Sequence, residues 1–364
     1  MTHREHATDL NNTPNREFLF EEDPHIEMCH AVTLTRLPSG DVLATWFWGT
    51  AEGNGDTAVW LARRTASGWQ KPVKVADRAG APHWNPVLFR SPDGRIYLFY
   101  KIGKNISEWQ TWFLVSADNG LSWSAPQELV PGDRGGRGPV KNKPILTSSG
   151  AWLSPASREG DNWDCFVDIS TDGGRSWRAS ELVPINHTTF LGRGVIQPTL
   201  WESQPGNIHM LMRSTGGFIY RSDSTDGGLT WSAAYPTTLP NNNSGIDLAR
   251  LANGDLILAH NPISANWGAR TPLVLSISRD NGLSWQHLLT LEDEAVPPDF
   301  AGVSAADTGI RIDSRAEFSY PAVIPFEAGV AVAYTWKRKR MAFVKLTDVE
   351  IEQWYLSSLK GVNV

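Results

Sequence analysis

The segment Ser170-Thr-Asp-Gly-Gly-Arg-Ser-Trp177 carries the pattern that decides the fold. Its aspartate can accept hydrogen bonds from backbone amides further along the segment, and its glycines supply the positive φ that a tight turn requires. The tryptophan at its end can fold back and bury its ring against the flanking strands. The segment therefore predicts a tight turn between two β-strands.

The same pattern recurs along the chain. Tryptophans stand 54 residues apart at Trp69, Trp123, Trp177, Trp231 and Trp285. The last four end copies of Ser-x-Asp-Gly/Asn-Gly-x-Ser/Thr-Trp, which we call boxes, at Ser116–Trp123, Ser170–Trp177, Ser224–Trp231 and Ser278–Trp285. The segment Arg64–Trp69 keeps the spacing but lacks the aspartate. A period near fifty residues is typical of propellers.

A second repeated signal predicts the number of blades. Short apolar strands are joined by turns with glycine at Gly40, Gly94, Gly150, Gly206, Gly254 and Gly329. Six such hairpins predict an all-β fold, a six-bladed β-propeller. A propeller usually closes by sharing strands between its ends, and Glu17–Phe20 is the N-terminal candidate. We predict a flexible segment over residues 1–16 and one domain over residues 17–356.

Composition excludes several classes of function. The chain has 364 residues, 41% of them hydrophobic, which is enough for a large core in one domain. A formal charge of −6 argues against a nucleic-acid partner. The basic run Lys337–Arg340 is interpreted as a solvated loop tip. Two cysteines, Cys29 and Cys165, make no disulfide framework, so we expect free thiols.

The expectations for localisation and cofactors rest on sequence patterns that the chain lacks. No apolar stretch has the length of a signal peptide or a membrane span, which predicts no membrane partner and a cytoplasmic location unless a signal preceded this sequence. His30 and His83 lack a third ligand at metal-binding spacing. The glycine-rich segment Gly132–Gly138 lacks the features of a phosphate loop, and is interpreted as a mobile loop beside the channel mouth. We predict neither a metal nor another cofactor, and the oligomeric state stays open.

Polar residues open the predicted inner strands. In a propeller these strands line the central channel, so their first residues converge at one mouth. The leading residues are His30, Asn85, Lys143, Gln197, Ser244 and Tyr320, with Asp247 following in the fifth blade. Because an unpaired buried polar group costs about 1–3 kcal/mol, six convergent polar residues predict a binding site.

The boxes, the six hairpins and the segment Cys29–Leu34 followed by Leu37–Gly40 resemble the sialidase (neuraminidase) superfamily, in particular the bacterial branch known as predicted neuraminidases. The resemblance covers roughly residues 20–350. It implies that arginines hold a substrate carboxylate, and Arg213 and Arg270 match the second and third of the three family positions. The first family position is occupied by His30. A histidine cannot reproduce the bidentate fork of an arginine.

The resemblance also implies the catalytic residues. Tyr320 stands where the family has its tyrosine nucleophile, and Gln197 replaces the usual glutamate partner. Since an amide accepts no proton, Glu317 or His30 would have to act as the base. The acid of the family matches Asp56, with Glu52 as an alternate.

Cations and aromatic residues fall near the same strand ends and predict an anionic sugar as ligand. The cations are Lys101, Lys141, Lys143, Arg213, Arg270 and Arg315. Tryptophans that could stack on a sugar are Trp46, Trp48, Trp84 and Trp109, and His83 precedes Trp84. For each tryptophan, packing inside a blade is the competing interpretation.

The sequence thus favours a sialidase-like exo-glycosidase that cleaves a terminal carboxylated sugar from an acidic glycan. A second hypothesis is a polysaccharide lyase acting on a glucuronate-containing glycan, such as a rhamnose–glucuronate linkage, with Tyr320 or His30 as base. A third is a propeller that binds glycans without turnover.

Overall fold

The computed structural model describes residues 14–23, 27–300, 303–306 and 309–359. Most of the predicted flexible segment, residues 1–13, lies outside this range. The single domain predicted over residues 17–356 stays a prediction, and the described chain continues to residue 359.

The described residues form six antiparallel sheets around one axis, which confirms the six-bladed propeller. Strand β1 is Glu17–Phe18. Blade 1 holds β2 (Met28–Arg36), β3 (Val42–Gly49), β4 (Ala58–Thr65), β5 (Gly68–Trp69) and β6 (Val73–Ala76). Blade 2 holds β7 (His83–Arg90), β8 (Ile96–Ile102), β9 (Gln110–Ser116) and β10 (Gln127–Glu128). Blade 3 holds β11 (Ile145–Leu146), β12 (Trp152–Glu159), β13 (Trp163–Ser170) and β14 (Arg178–Ala179).

The remaining blades follow in chain order. Blade 4 holds β15 (Val195–Gln204), β16 (Asn207–Ser214), β17 (Phe218–Ser224) and β18 (Tyr235–Pro240). Blade 5 holds β19 (Asp247–Arg250), β20 (Leu256–His260), β21 (Leu273–Ser278) and β22 (Gln286–Glu292). A separate hairpin, β23 (Val303–Ala306) and β24 (Gly309–Ile312), precedes blade 6. Blade 6 holds β25 (Phe318–Pro325), β26 (Gly329–Trp336) and β27 (Arg340–Thr347), followed by helix α1 (Asp348–Leu359).

The N-terminal strand closes the ring, as the sequence predicts. β1 pairs with β27 in antiparallel register, with Phe18 opposite Ala342. Arg64 of blade 1 donates two hydrogen bonds to the Glu17 carboxylate, at 2.7 and 2.6 Å. The short strand therefore fastens blade 6 to blade 1. No helix in the described part of the chain is long and apolar enough to span a bilayer.

Apolar side chains fill the space between neighbouring blades. Blades 5 and 6, for example, share one buried cluster that includes Ile257, Leu275 and Val332. Blades 6 and 1 share another, which includes Cys29 and Phe343. Cys29 and Cys165 are both buried and unpaired, so the expected free thiols are confirmed.

Each box is a hydrogen-bonded turn between the third and fourth strands of its blade. In blade 4, Asp226 accepts hydrogen bonds from the backbone amides of Leu229 and Thr230 at 3.0 and 3.1 Å, and from the hydroxyl groups of Ser224 and Thr230. Gly228 has a φ of +88°, and a Cβ there would stand 2.7 Å from Leu153 of the preceding blade. The box glycine thus allows both the turn and the packing of two blades.

The repeated turns lie at one end of the propeller. The turn glycines join first to second strands, and the boxes follow third strands. Because neighbouring strands are antiparallel, the loops between second and third strands lie at the opposite end, together with the starts of the first strands. We call this second end the open end. The polar residues that the sequence predicts at the starts of the inner strands converge there.

Polar side chains close the axis below the open end. Asp247 of blade 5 accepts hydrogen bonds from Lys143 Nζ, Thr199 Oγ1 and the Val323 amide, each at 2.8 Å. These partners come from blades 3, 4 and 6. Lys141 Nζ donates to the Ile246 carbonyl oxygen at 3.0 Å and also to the Pro321 carbonyl oxygen.

We expect Asp226→Ala to lower the free energy of unfolding by about 1–2 kcal/mol, because it removes the hydrogen bonds that hold one box. Burial raises the pKa of Asp226, but hydrogen bonds from Thr230 and Ser224 outweigh it and lower the pKa to about 2. The box therefore stabilises the fold above the ordinary pKa of aspartate, and this contribution is lost as the pH falls toward 2.

Chemical denaturation at neutral pH measures this effect. The control is Asp161→Ala, which removes an exposed carboxylate that makes no hydrogen bond within the described residues. Equal midpoints for the two variants would show that the box does not stabilise the blade.

Candidate active site

Irregular backbone marks the inner strands at the open end. The pairing of first with second strands shifts register in blades 1, 2, 4 and 6. The residue at each shift has a positive φ: 61° at Ala31, 37° at Asn85, 53° at Gln197 and 52° at Tyr320. Such values are uncommon for residues other than glycine, and bulges of this kind redirect side chains. Asn85, Gln197 and Tyr320 all line one pocket.

The bulge corrects the predicted register of blade 1. Ala31, not His30, occupies the position equivalent to Tyr320, because the register shift falls between His30 and Thr33. His30 is nevertheless buried beside Tyr320, with ring centroids 4.1 Å apart. Its Nδ1 lies 3.0 Å from Thr335 Oγ1. Burial, followed by the charges of Arg338 and other cations, holds the pKa of His30 well below its ordinary value, so the ring is neutral.

The Tyr320 hydroxyl group is held by two nitrogen donors. Arg213 Nη1 donates to it at 2.8 Å and Gln197 Nε2 donates at 3.2 Å. Gly245 lies against the tyrosine ring, where an added Cβ would stand 3.2 Å from Cδ2. The structure thus brings together Tyr320, Gln197 and Arg213 as predicted. The hydroxyl oxygen is therefore the acceptor of both hydrogen bonds.

Arg213 carries a buried charge without a counter-ion. It is 2% exposed. Its hydrogen bonds go to the neutral groups Asn243 Oδ1 at 2.7 Å, Gln197 Oε1 at 3.1 Å and Tyr320 Oη. It forms no ion pair within the described part of the chain. An uncompensated buried cation attracts an anionic ligand.

Two other arginines share one buried carboxylate. Arg270 Nη1 donates to Glu317 Oε1 at 2.7 Å, and Arg338 Nε donates to Glu317 Oε2 at 2.9 Å. Arg338 also pairs with Glu52. Burial raises the pKa of Glu317, but the two guanidinium groups outweigh it and hold that pKa below its ordinary value. A carboxylate so held is a poor proton acceptor, which argues against Glu317 as the base.

The basic run Lys337–Arg340 is not a solvated tip throughout, which corrects the sequence interpretation. Lys337 and Arg338 have φ values of 50° and 54°, and this turn directs the Arg338 side chain inward. Arg338 is 6% exposed, and its Nη2 lies 3.4 Å from His30 Nε2. A guanidinium group thus stands beside His30.

The pocket has a volume of about 250 Å³ and a wall of aromatic residues. Trp84, Trp109, Trp163 and Trp267 line it, and the Arg213 guanidinium lies 5.4 Å from the centroid of the Trp267 ring. Sequence reasoning found Trp84 and Trp109 but missed several other lining residues, namely Trp163, Trp267, Glu159, Arg193, Thr215 and Asn266. All of these except Arg193 lie at or between the second and third strands of their blades.

Glu52 lines the pocket, whereas the predicted acid Asp56 does not. The Asp56 carboxylate accepts hydrogen bonds from the amide and the hydroxyl group of Thr50, both at 3.1 Å, so it holds its own exposed loop. The alternate, Glu52, is therefore the blade 1 carboxylate that the fold brings to the site.

Two further predicted ligands are held inside blades. Lys101 Nζ donates to Thr111 Oγ1 and to the Arg137 carbonyl oxygen, both at 2.7 Å. His83 Nδ1 lies 2.8 Å from the Thr57 carbonyl oxygen, and its ring stacks on Tyr100. Neither residue lines the pocket, because their side chains point into or between blades 1 and 2 rather than toward the axis.

The axial cations also serve the fold. Lys141, Lys143 and Asp247 form the polar closure described above and do not line the pocket. Lys141 is buried, which lowers its pKa to about 7. Its bond to the Pro321 carbonyl oxygen supports the peptide that follows Tyr320. The predicted inner strand at Lys143 is shorter than expected, because β11 begins at Ile145.

Arg315, Trp46 and Trp48 also lie away from the pocket. Arg315 is half-exposed and pairs with Asp299 and Asp313. Trp46 and Trp48 pack against Phe20 at the junction of blades 6 and 1. In the loop Gly132–Gly138, Arg137 pairs with buried Asp168, so that loop is anchored to blade 3. The described residues contain no group of three or more His, Cys, Asp or Glu side chains that could hold a metal ion.

Residues 40–332 match the family model of the BNR repeat-like domain. The chain belongs to this family. The predicted resemblance to sialidases is therefore confirmed at the level of the fold and its repeats.

Solved structures place this BNR-repeat protein among proteins of the same fold. It aligns with the Hadza microbial sialidase Hz136 at a TM-score of 0.73 and 15% identity, covering 92% of this chain and 68% of the other. It aligns with Trypanosoma rangeli sialidase at 0.70 and 15%, covering 94% and 61%. A Dyadobacter fermentans protein of unknown function aligns at 0.69 and 14%, covering 91% and 97%. Identities this low show the fold alone.

We expect Arg338→Gln to destabilise the protein by about 3–5 kcal/mol, because it leaves Glu317 and Glu52 without one of their cations. The matched control is Lys339→Gln, which changes an exposed residue in the same turn. Since the cations lower the pKa of Glu317, the pairing stabilises the fold above the ordinary glutamate pKa and is lost as acid protonates the group.

Urea unfolding of both variants across a pH series measures the difference. The gap between Arg338→Gln and the wild type should narrow toward low pH. If Arg338→Gln lowers the free energy of unfolding no more than Lys339→Gln does, the buried ion pairs of Arg338 do not stabilise the fold as expected.

Proposed function

We propose that this protein is an exo-acting glycoside hydrolase that releases a terminal carboxylated sugar from a glycan. The observation that carries the proposal is the uncompensated charge of Arg213, which contacts Tyr320 at a pocket lined by tryptophans. The substrate carboxylate would supply the missing counter-ion. Two proteins with this fold are sialidases by name, which supports the same class of reaction.

The size and walls of the pocket support action on a chain end. Its volume of about 250 Å³ lies below the range of about 300–1,000 Å³ usual for drug-sized ligands, so it suits one sugar unit. Trp267 is partly exposed and offers a face on which a sugar ring can stack, whereas Trp84, Trp109 and Trp163 are buried and form an apolar wall. The rest of the glycan would extend out through the open end.

Hydrolysis in this pocket would use Tyr320 as the nucleophile. The phenolate oxygen, stabilised by Arg213 and Gln197, attacks the anomeric carbon while the glycosidic C–O bond breaks. The leaving oxygen takes a proton from a carboxyl group of the pocket wall. A water molecule then attacks the same carbon, its proton returns to that carboxylate, and Tyr320 leaves as phenolate. This follows the tyrosine exception to the two-carboxylate scheme.

One observation favours a second candidate, elimination from a uronate. Gln197 supplies an amide where a carboxylate partner of Tyr320 is expected, and neutral His30 lies against the tyrosine. A phenolate at Tyr320 could take the proton from C5 of a glucuronate whose carboxylate Arg213 holds. The C4–O bond would break, a C4=C5 double bond would form, and a pocket carboxyl group would protonate the leaving oxygen.

Mass spectrometry of the products decides between the candidates. The purified protein is incubated separately with sialyl-oligosaccharides and with glucuronate-containing oligosaccharides in which O4 of the glucuronate carries another sugar. Hydrolysis gives products that have gained one water, whereas elimination gives an unsaturated uronate. Binding of these glycans without any product would contradict both reactions and support a non-catalytic propeller.

We expect Arg213→Lys to reduce kcat/KM for a carboxylated substrate by about 10- to 100-fold, since a lysine offers no bidentate fork. The same substrate with its carboxylate reduced to an alcohol should be turned over equally poorly by wild type and variant. The matched control is Arg221→Lys, which changes another buried arginine of blade 4 that pairs with Asp223. If Arg213→Lys lowers kcat/KM equally for both substrates, Arg213 has a structural role only.

A further inference from the structure

Glu159 is a carboxyl group at the pocket wall that the fold leaves without an ion pair. Its one hydrogen bond within the described residues comes from Ser157 Oγ at a long 3.4 Å. Glu52, the other pocket carboxylate, is paired with Arg338, and Asp56 is held by Thr50 outside the pocket. Of these three groups, Glu159 alone lies in the pocket and is free to exchange a proton with a ligand.

The topology places Glu159 across the axis from Tyr320. Glu159 ends β12 of blade 3, and Tyr320 lies on β25 of blade 6. In a six-bladed ring these blades stand opposite each other, and both residues line the same pocket. A sugar held there would have Tyr320 on one side and Glu159 on the other. Blade 1, which carries Glu52 and Asp56, adjoins blade 6.

The surroundings of Glu159 favour its protonated form. Burial raises its pKa above the ordinary value of glutamate, and the charges of Arg213 and Lys101 only partly offset this. Lys101 donates hydrogen bonds to Thr111 and the Arg137 carbonyl oxygen, and it forms no ion pair with Glu159 within the described residues. The other charged groups at the pocket wall are Arg193 and the paired Glu52. A raised pKa suits a general acid.

We propose that Glu159 is the acid–base residue of the pocket, an assignment that rests on the hydrolytic function proposed above. In the first step the Glu159 carboxyl proton moves to the glycosidic oxygen as Tyr320 attacks the anomeric carbon and the C–O bond breaks. In the second step the Glu159 carboxylate accepts a proton from the attacking water. The sugar–tyrosine bond then breaks, and both groups return to their starting forms.

Glu159→Gln tests the assignment through the leaving group. The two substrates are a 4-methylumbelliferyl glycoside, whose phenol leaves without protonation, and the lactosyl glycoside of the same carboxylated sugar. General acid catalysis contributes about 10²- to 10⁴-fold. We expect formation of the glycosyl–enzyme to slow by at least about 100-fold with the lactosyl substrate and by less than about 10-fold with the aryl substrate.

Two further readouts separate chemistry from structure. Azide needs no base, so it should restore turnover of the aryl substrate by Glu159→Gln and give a glycosyl azide. The alkaline limb of the wild-type kcat/KM profile should move or disappear in the variant. Circular dichroism and thermal unfolding establish that the variant is folded. If it is not, Glu159→Asp is compared on the same two substrates.

Asp56→Asn and Glu52→Gln are tested in parallel as competing acids. A leaving-group difference or azide rescue in either of them, and not in Glu159→Gln, would overturn the assignment. The assignment would also be overturned if Glu159→Gln slowed glycosyl–enzyme formation equally with the lactosyl and the aryl substrate. If the wild type turns over no carboxylated glycoside by hydrolysis, the proposed function itself fails and the assignment fails with it.

Discussion

The ion pair between Lys143 and Asp247 is the constraint on which the rest of the structure depends. A six-bladed ring leaves a channel along its axis, and apolar side chains fill only the spaces between blades. Asp247 accepts hydrogen bonds from blades 3, 4 and 6 while belonging to blade 5. A buried charge of this kind is tolerated only when its partners satisfy it. The closure therefore links three inner strands and the segment before β11 to one another.

The charged groups around the pocket above this closure differ in whether the fold supplies them with an ion-pair partner. Glu317 neutralises Arg270 and Arg338, and Glu52 adds a second carboxylate to Arg338. Arg213 alone is surrounded by neutral acceptors. The same region holds the neutral side chain of His30 beside Tyr320. The guanidinium group of Arg338 reaches His30 from a turn of blade 6, and its charge adds to burial in lowering the pKa of the histidine.

The features that could be predicted from the sequence are those that repeat along the chain. The boxes and turn glycines recur at fixed spacing, so the blade count, the closure by β1 and the sites at Tyr320, Gln197 and Arg213 could be predicted. The loops between second and third strands share no pattern, so Arg338, Glu159 and Trp267 could not be found. Local sequence does not show a register shift either. For that reason the sequence predicts His30 at the bulge position, which Ala31 occupies in the structure. Lys101 lies beside an inner strand, yet its side chain bonds to Thr111 of its own blade and to the loop before blade 3.

The two ends of the propeller carry different constraints. At the end that carries the boxes, hydrogen bonds hold each box aspartate, and each box glycine is closely packed, as Gly228 is against Leu153 of the preceding blade. At the open end the loops contribute a glutamate, a tryptophan, a threonine or an arginine in different blades, and the strands below them stay the same. Substitutions in these loops can therefore change the chemistry of the pocket at little cost to folding. The exceptions are residues such as Arg338, whose charge is also needed to satisfy a buried carboxylate.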